Sequence, residues 1–186
     1  MRKIVLVEPE IPDNTGFVAR LSANFGYEIR LVNPDFNISE ARKTASNAQD
    51  KLRDARIFDS AEEAVEDLNY VVGTKPDRGV SVKQFEPSGE TSIMIGRESS
   101  GLTEEELDLC DAVVHISTEK YSSINQSHAS AVLMHSFSEF QQEESIRRGQ
   151  KEVLEQELPE KVVSAVLESN PSPKEVNAMI GSLKDN

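Results

Sequence analysis

Arg20 stands roughly one helical turn beyond Asn14, Thr15 and Gly16, in a stretch (residues 12–20) that follows a short apolar run and opens an amphipathic pattern. Free backbone N–H groups at such a helix start suit a phosphate. Gly16 lets a ligand approach closely, and Arg20 lies off the apolar face. An ordinary capped helix with a solvated arginine has the same composition. In residues 95–102 an apolar strand runs into Gly96, then Arg97 and Glu98, then Ser99, Ser100 and Gly101 before a new helix. Ligands of open α/β sheets bind beyond the carboxyl ends of strands, where this loop falls. A plain strand-to-helix turn with an Arg97–Glu98 surface pair is the ordinary alternative. A third stretch, residues 116–128, leaves a strand through Ser117, Thr118, Tyr121, Ser122 and Ser123 and enters a long helix at Asn125. Its hydroxyls offer donors and acceptors to a polar cofactor. Ser123 and Asn125 can equally well cap that helix.

These segments need a scaffold, and the hydropathy pattern supplies one. Apolar runs at 4–7, 29–32, 70–73, 93–96 and 113–116 read as buried parallel strands. Helical patterns separate them. Residues 14–25 carry Phe17, Val18, Leu21 and Phe25 on one face, with Asp13 or Asn14 as cap. Shorter helices are expected at 61–68 and at 103–109, where Thr103 and Glu106 form a capping box. The longest runs over 125–140, with Ala129, Val132, Leu133 and Phe137 in register. Strands alternating with helices give an α/β fold with a Rossmann-like parallel sheet. Past Phe140 the composition turns charged. Residues 141–158 read as an exposed helix or linker, and 158–167 and 173–183 as two short helices around Ser169, Asn170, Pro171 and Ser172. Two domains follow, residues 1–142 and a C-terminal helical extension over 143–186.

Composition excludes several classes. The 186 residues contain no apolar run near the ~18 residues of a transmembrane helix. The one cysteine, Cys110, forms no internal disulfide, suits a reducing cytoplasm, and reads as a small core residue. The net charge is −13, with 37% hydrophobic residues. Such a charge opposes general nucleic-acid binding, so any RNA site must be a local basic patch. Residues 1–95 carry a net −4 against −9 for the remainder, which places that patch in the first half. No Gly-x-Gly-x-x-Gly or phosphate loop is present, and no Ser-His-Asp order stands out. His128 and His135 share a helix face without partners at ligand spacing, so no metal is expected.

Together and in order, the three segments resemble the motifs of the SpoU/TrmH family of the SPOUT methyltransferases, over roughly residues 3–140. Asn14-x-Gly16-x-x-x-Arg20 is similar to the first motif, Gly96-Arg97-Glu98-x-x-Gly101-Leu102 to the second, and Ser123-Ile124-Asn125 to the third. Within the family, Val72-Gly73-Thr74 with Arg78, residues 102–107 with Cys110, and residues 121–125 resemble the tRNA (cytidine/uridine-2′-O)-methyltransferase group. The opening residues 9–16 look more like the group that modifies the wobble nucleotide. Lys75, Pro76 and Asp77 replace small residues, Gln126 stands where an apolar residue is common, and the tail is shorter and more acidic.

The resemblance implies a C-terminal trefoil knot that periodicity cannot show. It implies S-adenosyl-L-methionine bound by Thr74, Lys75, Pro76, Gly96, Ile116, Ser122, Ser123, Ile124 and Asn125, largely through backbone. It implies a cytoplasmic homodimer through the knot region, with Arg20 reaching the partner's site, and tRNA as substrate, methylated on the ribose 2′-oxygen of an anticodon-loop cytidine or uridine. A ribosomal RNA enzyme of the same fold, or a catalytically silent RNA-binding knot protein, is the alternative. The catalytic set is Arg20, Asn14, Glu98 and Ser123. Arg20, Arg78 and Lys75 are the RNA contacts, and Arg30 is a further candidate. The family's mechanism makes Arg20 the base. An arginine pKa above ~12 opposes that, so a bidentate grip on the neighbouring phosphate, with Glu98 orienting Arg20 or another loop donor, is the preferred role.

Overall fold

The computed structural model describes residues 2–87, 90–142, 148–168 and 173–184. The chain divides into two compact units, Met1–Ser138 and Glu139–Asn186.

The apolar runs of the first unit become strands β1 (Lys3–Val7), β2 (Glu28–Val32), β4 (Val71–Thr74), β6 (Ser92–Ile95) and β7 (Ala112–His115). Two more strands join them, β3 (Arg56–Phe58) and β5 (Val80–Ser81). They are edge strands of three and two residues. Neither carries an apolar run, which is why hydropathy passes over them. The sheet runs β3-β2-β1-β6-β4-β7-β5 with every pairing parallel. All carboxyl ends therefore lie along one edge, and the loops after β1, β4, β6 and β7 gather there.

Helices cover both faces. On one, α1 (Pro12–Phe25), α2 (Ile38–Ala45), α3 (Gln49–Arg53) and α6 (Gln126–Gln142) pack through Val18, Ala19, Ala41, Leu52, Leu133, Met134 and Phe137 against Ile4, Leu6, Leu31 and Ile93. On the other, α4 (Ala61–Val65) and α5 (Glu104–Asp108) pack through Ala61, Ala64 and Leu107 against Val5, Val7 and Met94. Neighbouring strands β1 and β6 thus send their following helices to opposite faces. That divergence opens a crevice at their carboxyl ends, where α/β sheets bind ligands.

Several expectations are corrected. Helix α1 begins at Pro12 with Ile11 as cap and no side-chain cap bond, so neither Asp13 nor Asn14 caps it. The amide of Asn14 is used elsewhere. Gly16 serves helix packing: a Cβ there would lie 2.0 Å from Thr44 Oγ1 and 2.3 Å from the Ala41 carbonyl oxygen, so α2 occupies the space assigned to a ligand. Helices α2 and α3 were not expected. Their short, polar sequence leaves too few apolar positions for a period to emerge. Helix α4 stops at Val65, short of the expected 68, in a turn from Leu68 N to Val65 O. The capping box of Thr103 and Glu106 is present as read.

Arg30 is no RNA contact. It lies in β2, 3% exposed, where its guanidinium grips both oxygens of Asp67 and donates 2.7 Å to the Ala64 carbonyl. Its place inside a strand and the depth of the second core face bury it.

The second unit holds α7 (Arg148–Glu157), α8 (Glu160–Glu168) and α9 (Pro173–Lys184) around a small core of Leu154, Val163 and Val176. The two short helices fall where they were expected, and 148–157 is a helix with one buried anchor. The turn expected at Ser169–Ser172 lies outside the described residues.

The Arg30 guanidinium holds the Asp67 carboxyl down to about 2. A depressed carboxylate stabilises above its unfolded value near ~4 and loses that contribution as pH falls toward ~2. Asp67→Asn leaves a buried guanidinium without its counter-charge, and urea unfolding at neutral pH is expected to show a loss of about 2 kcal/mol, discounted because Asp67 itself is exposed. The difference from wild type should shrink between about pH 4 and pH 2, as the wild-type carboxyl takes up its proton.

Candidate functional site

Glu98, in the loop after β6, reaches the first turn of α1. Its carboxylate accepts from the main-chain N–H of Glu10 at 2.9 Å and Ile11 at 3.4 Å, and from Asn14 Nδ2 at 2.9 Å. Glu10 answers by accepting from Ser99 N at 2.8 Å and Ser99 Oγ at 2.7 Å. Those bonds hold the Glu10 carboxyl below the ordinary carboxylate range. The helix N-terminus read as a phosphate seat therefore already holds an anion of the protein's own, Glu98.

Asn14, 5% exposed, passes the connection on: its Oδ1 accepts from Asn125 Nδ2 at 3.0 Å. Asn125 Oδ1 accepts from Ser127 N at 2.9 Å and Ser127 Oγ at 2.7 Å, capping α6. Of the two capping candidates Asn125 does the work, while Ser123 faces a cavity. One hydrogen-bonded line thus joins the three segments singled out in the sequence.

Arg97 does not pair with Glu98. Its guanidinium bonds Glu8 at 2.7 Å and Glu106 through two bonds of 3.0 Å, and Arg97 Nη1 donates to the Gly101 carbonyl at 3.3 Å. These bonds raise the Arg97 pKa above its already high value and keep the charge in place. Burial pushes the Glu106 carboxyl up, but bonds from Arg97 and the Thr103 backbone together hold it below its usual value. The loop folds back so tightly that a Cβ on Gly96 would lie 2.2 Å from the Gly101 carbonyl carbon. Gly101 itself takes a left-handed φ of 71°.

A cavity of about 230 Å³ opens against this loop, lined by Thr74, Pro76, Gly96, Glu98, Ser123, Ile124 and Gln126 among others. Of the residues assigned to a cofactor, Thr74, Pro76, Gly96, Ser123 and Ile124 line it; Lys75, Ile116, Ser122 and Asn125 do not. Gln126, 3% exposed, donates 3.0 Å to the Gly96 carbonyl, and its buried Oε1 has no hydrogen-bond partner among the described residues. An orphaned acceptor in a cavity wall fits a ligand that brings an N–H or O–H group. Sequence reading noted Gln126 only as a departure. Its neighbours Asn125, Ser127 and His128 are polar too, so nothing in the local sequence marked it as buried.

Arg20 stands elsewhere. It lines a second cavity, about 350 Å³, with Asn14, Phe17, Leu21, Asn125 and His128, and has no ion-pair partner among the described residues. The Glu98 carboxylate goes to Asn14 and to the backbone of Glu10 and Ile11, and Arg20 is not among its partners. Lys75 and Arg78 are tied to Glu104: Lys75 Nζ donates 2.8 Å to it and 3.4 Å to the Leu102 carbonyl, and Arg78 pairs with its other oxygen. Arg78 and Lys75 hold the Glu104 carboxyl down to about 2. That pairing pins the loop that brings Thr74 and Pro76 to the cavity. Cys110, half-buried with its Sγ bonded to the Glu106 carbonyl, is pushed up to about 12 by burial and the nearby Asp111 and Glu106 charges, as an unreactive packing thiol should be. Among the described residues no cluster of three metal-ligating side chains occurs and no helix is long and apolar enough to cross a membrane.

Comparison with known proteins agrees with this geometry. Residues 1–135 match the SpoU rRNA Methylase family. A relative described as tRNA (cytidine-2′-O-)-methyltransferase TrmJ of Methanocaldococcus jannaschii is 36% identical over 152 residues, which are 73% of this chain and 66% of that protein. The chain therefore spans just under two thirds of that relative's length. The crystal structure of TrmJ from Z. mobilis ZM4 superposes with a TM-score of 0.68 at 25% identity, covering 100% of this chain and 98% of that one. A structure titled for the 2-OH methylation of C/U34 on tRNA gives 0.70 at 26% identity, covering 76% and 96%.

If the Glu98 carboxylate secures the start of α1, Glu98→Gln weakens three acceptor bonds at once. Urea unfolding is expected to show a loss of about 1–2 kcal/mol. An unchanged midpoint would remove Glu98 from that role.

Proposed function

The chain belongs to the SpoU rRNA Methylase family, and on that premise we propose that it is an S-adenosylmethionine-dependent ribose 2′-O-methyltransferase, acting on an anticodon-loop cytidine or uridine of tRNA as a homodimer in the cytoplasm. The relative named for tRNA cytidine 2′-O-methylation and the structure titled for C/U34 support the substrate. The observation that carries the reading is the Gly96 cavity beside the Glu98–Asn14–Asn125 line: the loops after β4, β6 and β7 all contribute to its walls.

The cavity fits the cofactor in kind. Backbone and small polar groups line it, and Gln126 Oε1 waits for a donor such as an amine or hydroxyl of the nucleoside. At about 230 Å³ it lies under the usual ~300–1,000 Å³ of ligand sites, so a compact, bent ligand with one end at the mouth suits it.

The knot is part of the proposal. Strand β7 lies beyond β4, yet α6 returns to α1, with His135 edge-on to Phe25 at 6.1 Å and Ser138 bonded to Arg2. Residues 116–125 must cross back over the carboxyl ends of β4 and β6. Passage of that segment through the loop after β4 ties a trefoil around the cofactor cavity. The domain division at 142/143 is likewise kept as a proposal, the tail serving as a helical extension.

S-adenosylmethionine supplies an electrophilic sulfonium methyl: the ribose 2′-oxygen takes the methyl, the C–S electron pair stays with sulfur, and the 2′-proton leaves to water. The residues of this chain position the reactants. Arg20 cannot serve as a base at neutral pH. It grips the phosphate beside the target ribose in a bidentate pair and aims the 2′-oxygen. Because Arg20 lines a different cavity from Gly96 in its own chain, it serves the partner subunit's site. Asn14 and Ser123 supply hydrogen bonds to sugar or phosphate, and Glu98 fixes Asn14. Lys75 and Arg78 meet RNA phosphate at the mouth in exchange for Glu104.

Calorimetric titration with S-adenosylmethionine, then methylation of unmodified total tRNA with mapping of the product, tests the reading. A product mapped to ribosomal RNA alone would replace tRNA as substrate, and no cofactor binding would end the proposal. Arg20→Lys should lower turnover about 100-fold with cofactor affinity unchanged, and near-wild-type turnover would contradict the bidentate role. Gln126→Leu should weaken cofactor binding about tenfold. Mixing inactive Arg20→Ala with inactive Ile124→Trp should restore methylation, because one mixed dimer site then has both an open cavity and a partner's arginine. Failure of the mixture to recover activity places Arg20 in its own chain's site.

A further inference from the structure

Outside the two cavities already assigned lies a third, about 240 Å³, between the second half of α1 and the turn that links α2 to α3. Arg20, Asn24, Ser46 and Asn47 give it polar walls, and alanines at 23, 45 and 48 leave it open. It shares Arg20 and Asn24 with the 350 Å³ cavity, so the two form one surface with Arg20 on the divide. We propose that this groove is an RNA subsite that takes the nucleotide next to the methylated one and reads its base edge. The proposal rests on the function given above.

Charge is the first argument. The chain carries −13, so phosphate is held most readily where cations escape the protein's own carboxylates. Six cations of the first unit do not escape: Lys3 is held by Glu28, Arg30 by Asp67, Arg53 by Asp54, Lys75 and Arg78 by Glu104, and Arg97 by Glu8 and Glu106. Arg20 on α1, and Arg42 and Lys43 in the last turn of α2, have no ion-pair partner among the described residues. Arg2, Lys51 and Arg56 have no ion pair among the described residues either, but Arg2 lies over the Tyr27 ring, Lys51 donates to the Tyr27 carbonyl and Arg56 lies over the Phe58 ring, while Lys83 and Lys120 stand singly in other loops. Arg20 lines the groove, and Arg42 and Lys43 stand in the last turn of the helix that leads into it.

The walls are the second argument. Asn24 and Asn47 are exposed amides with no hydrogen-bond partner among the described residues. An amide carries both donors and an acceptor and so matches the edge of an unpaired base. No aromatic ring lines the groove, so it reads an edge and does not stack a face. Backbone is the third. Ser46 holds φ 52° and ψ −119°, a conformation that favours glycine, in the residue that turns the chain into the groove. Strain of this kind persists where the surroundings enforce it and gathers at ligand sites.

The test uses tRNA transcripts that differ only at the nucleotides flanking the methylated one. The wild-type chain is expected to prefer one flanking base about tenfold. Asn47→Ala should flatten that preference and lower kcat/KM on the preferred transcript about tenfold, with S-adenosylmethionine affinity unchanged. Arg42→Gln with Lys43→Gln should weaken binding of every transcript alike, measured by fluorescence anisotropy, and reduce the salt slope by about two. Retention of the flanking preference in Asn47→Ala, absence of any preference in wild type, or a change in dimerisation alone would overturn the subsite. A wild-type chain that binds the cofactor and methylates no RNA sinks the function instead. Anisotropy still decides the groove in that case, since equal transcript binding by wild type and Asn47→Ala refutes it.

Discussion

Glu98 leaves β6 on one side of the crevice, and the first turn of α1 leaves β1 on the other. The Glu98 carboxylate joins them by accepting two main-chain N–H bonds and one from Asn14. An anion at a helix N-terminus satisfies donors that the helix cannot satisfy itself and meets the positive end of its dipole. Asn14 has one donor group and one acceptor, and both are spent on tertiary partners, Glu98 below and Asn125 beyond. Asn125 in turn caps α6. Loss of this line would free the ends of two helices and the floor of the cavity between them.

Around that line the loops are held by opposite charges with their own geometry. Arg97 sits in a fork made by Glu8 and Glu106 and folds its loop over Gly96, where no Cβ fits. Lys75 and Arg78 share Glu104, which fixes the opposite wall. Much of the negative charge near the site is thereby consumed in holding cations. Arg20 on α1 and Arg42 and Lys43 on α2, by contrast, have no ion-pair partner among the described residues.

The side chains that approach a ligand are few. Gly96 provides room, Gln126 an unsatisfied acceptor, and Ser123 and Ile124 a loop wall. Arg20 lines a different cavity, with Asn14 and Asn125.

The sequence by itself determined the five long strands, the α1, α5 and α6 helices, and the three segments that meet at the carboxyl edge. Period, capping residues and glycine placement are local properties, so they survive in a linear reading. It also placed Gly96, Ser123 and Ile124 at a cavity by resemblance. It misassigned Gly16, Arg30 and the caps of α1, because each of these is defined by a partner far along the chain: Thr44 on α2, Asp67 beyond α4, and Glu98 after β6. Edge strands β3 and β5 and helices α2 and α3 were too short to show a period. Only the tertiary structure decided which carboxylate takes which cation, since ion pairs and orphaned acceptors depend on distances in space that no spacing in sequence encodes.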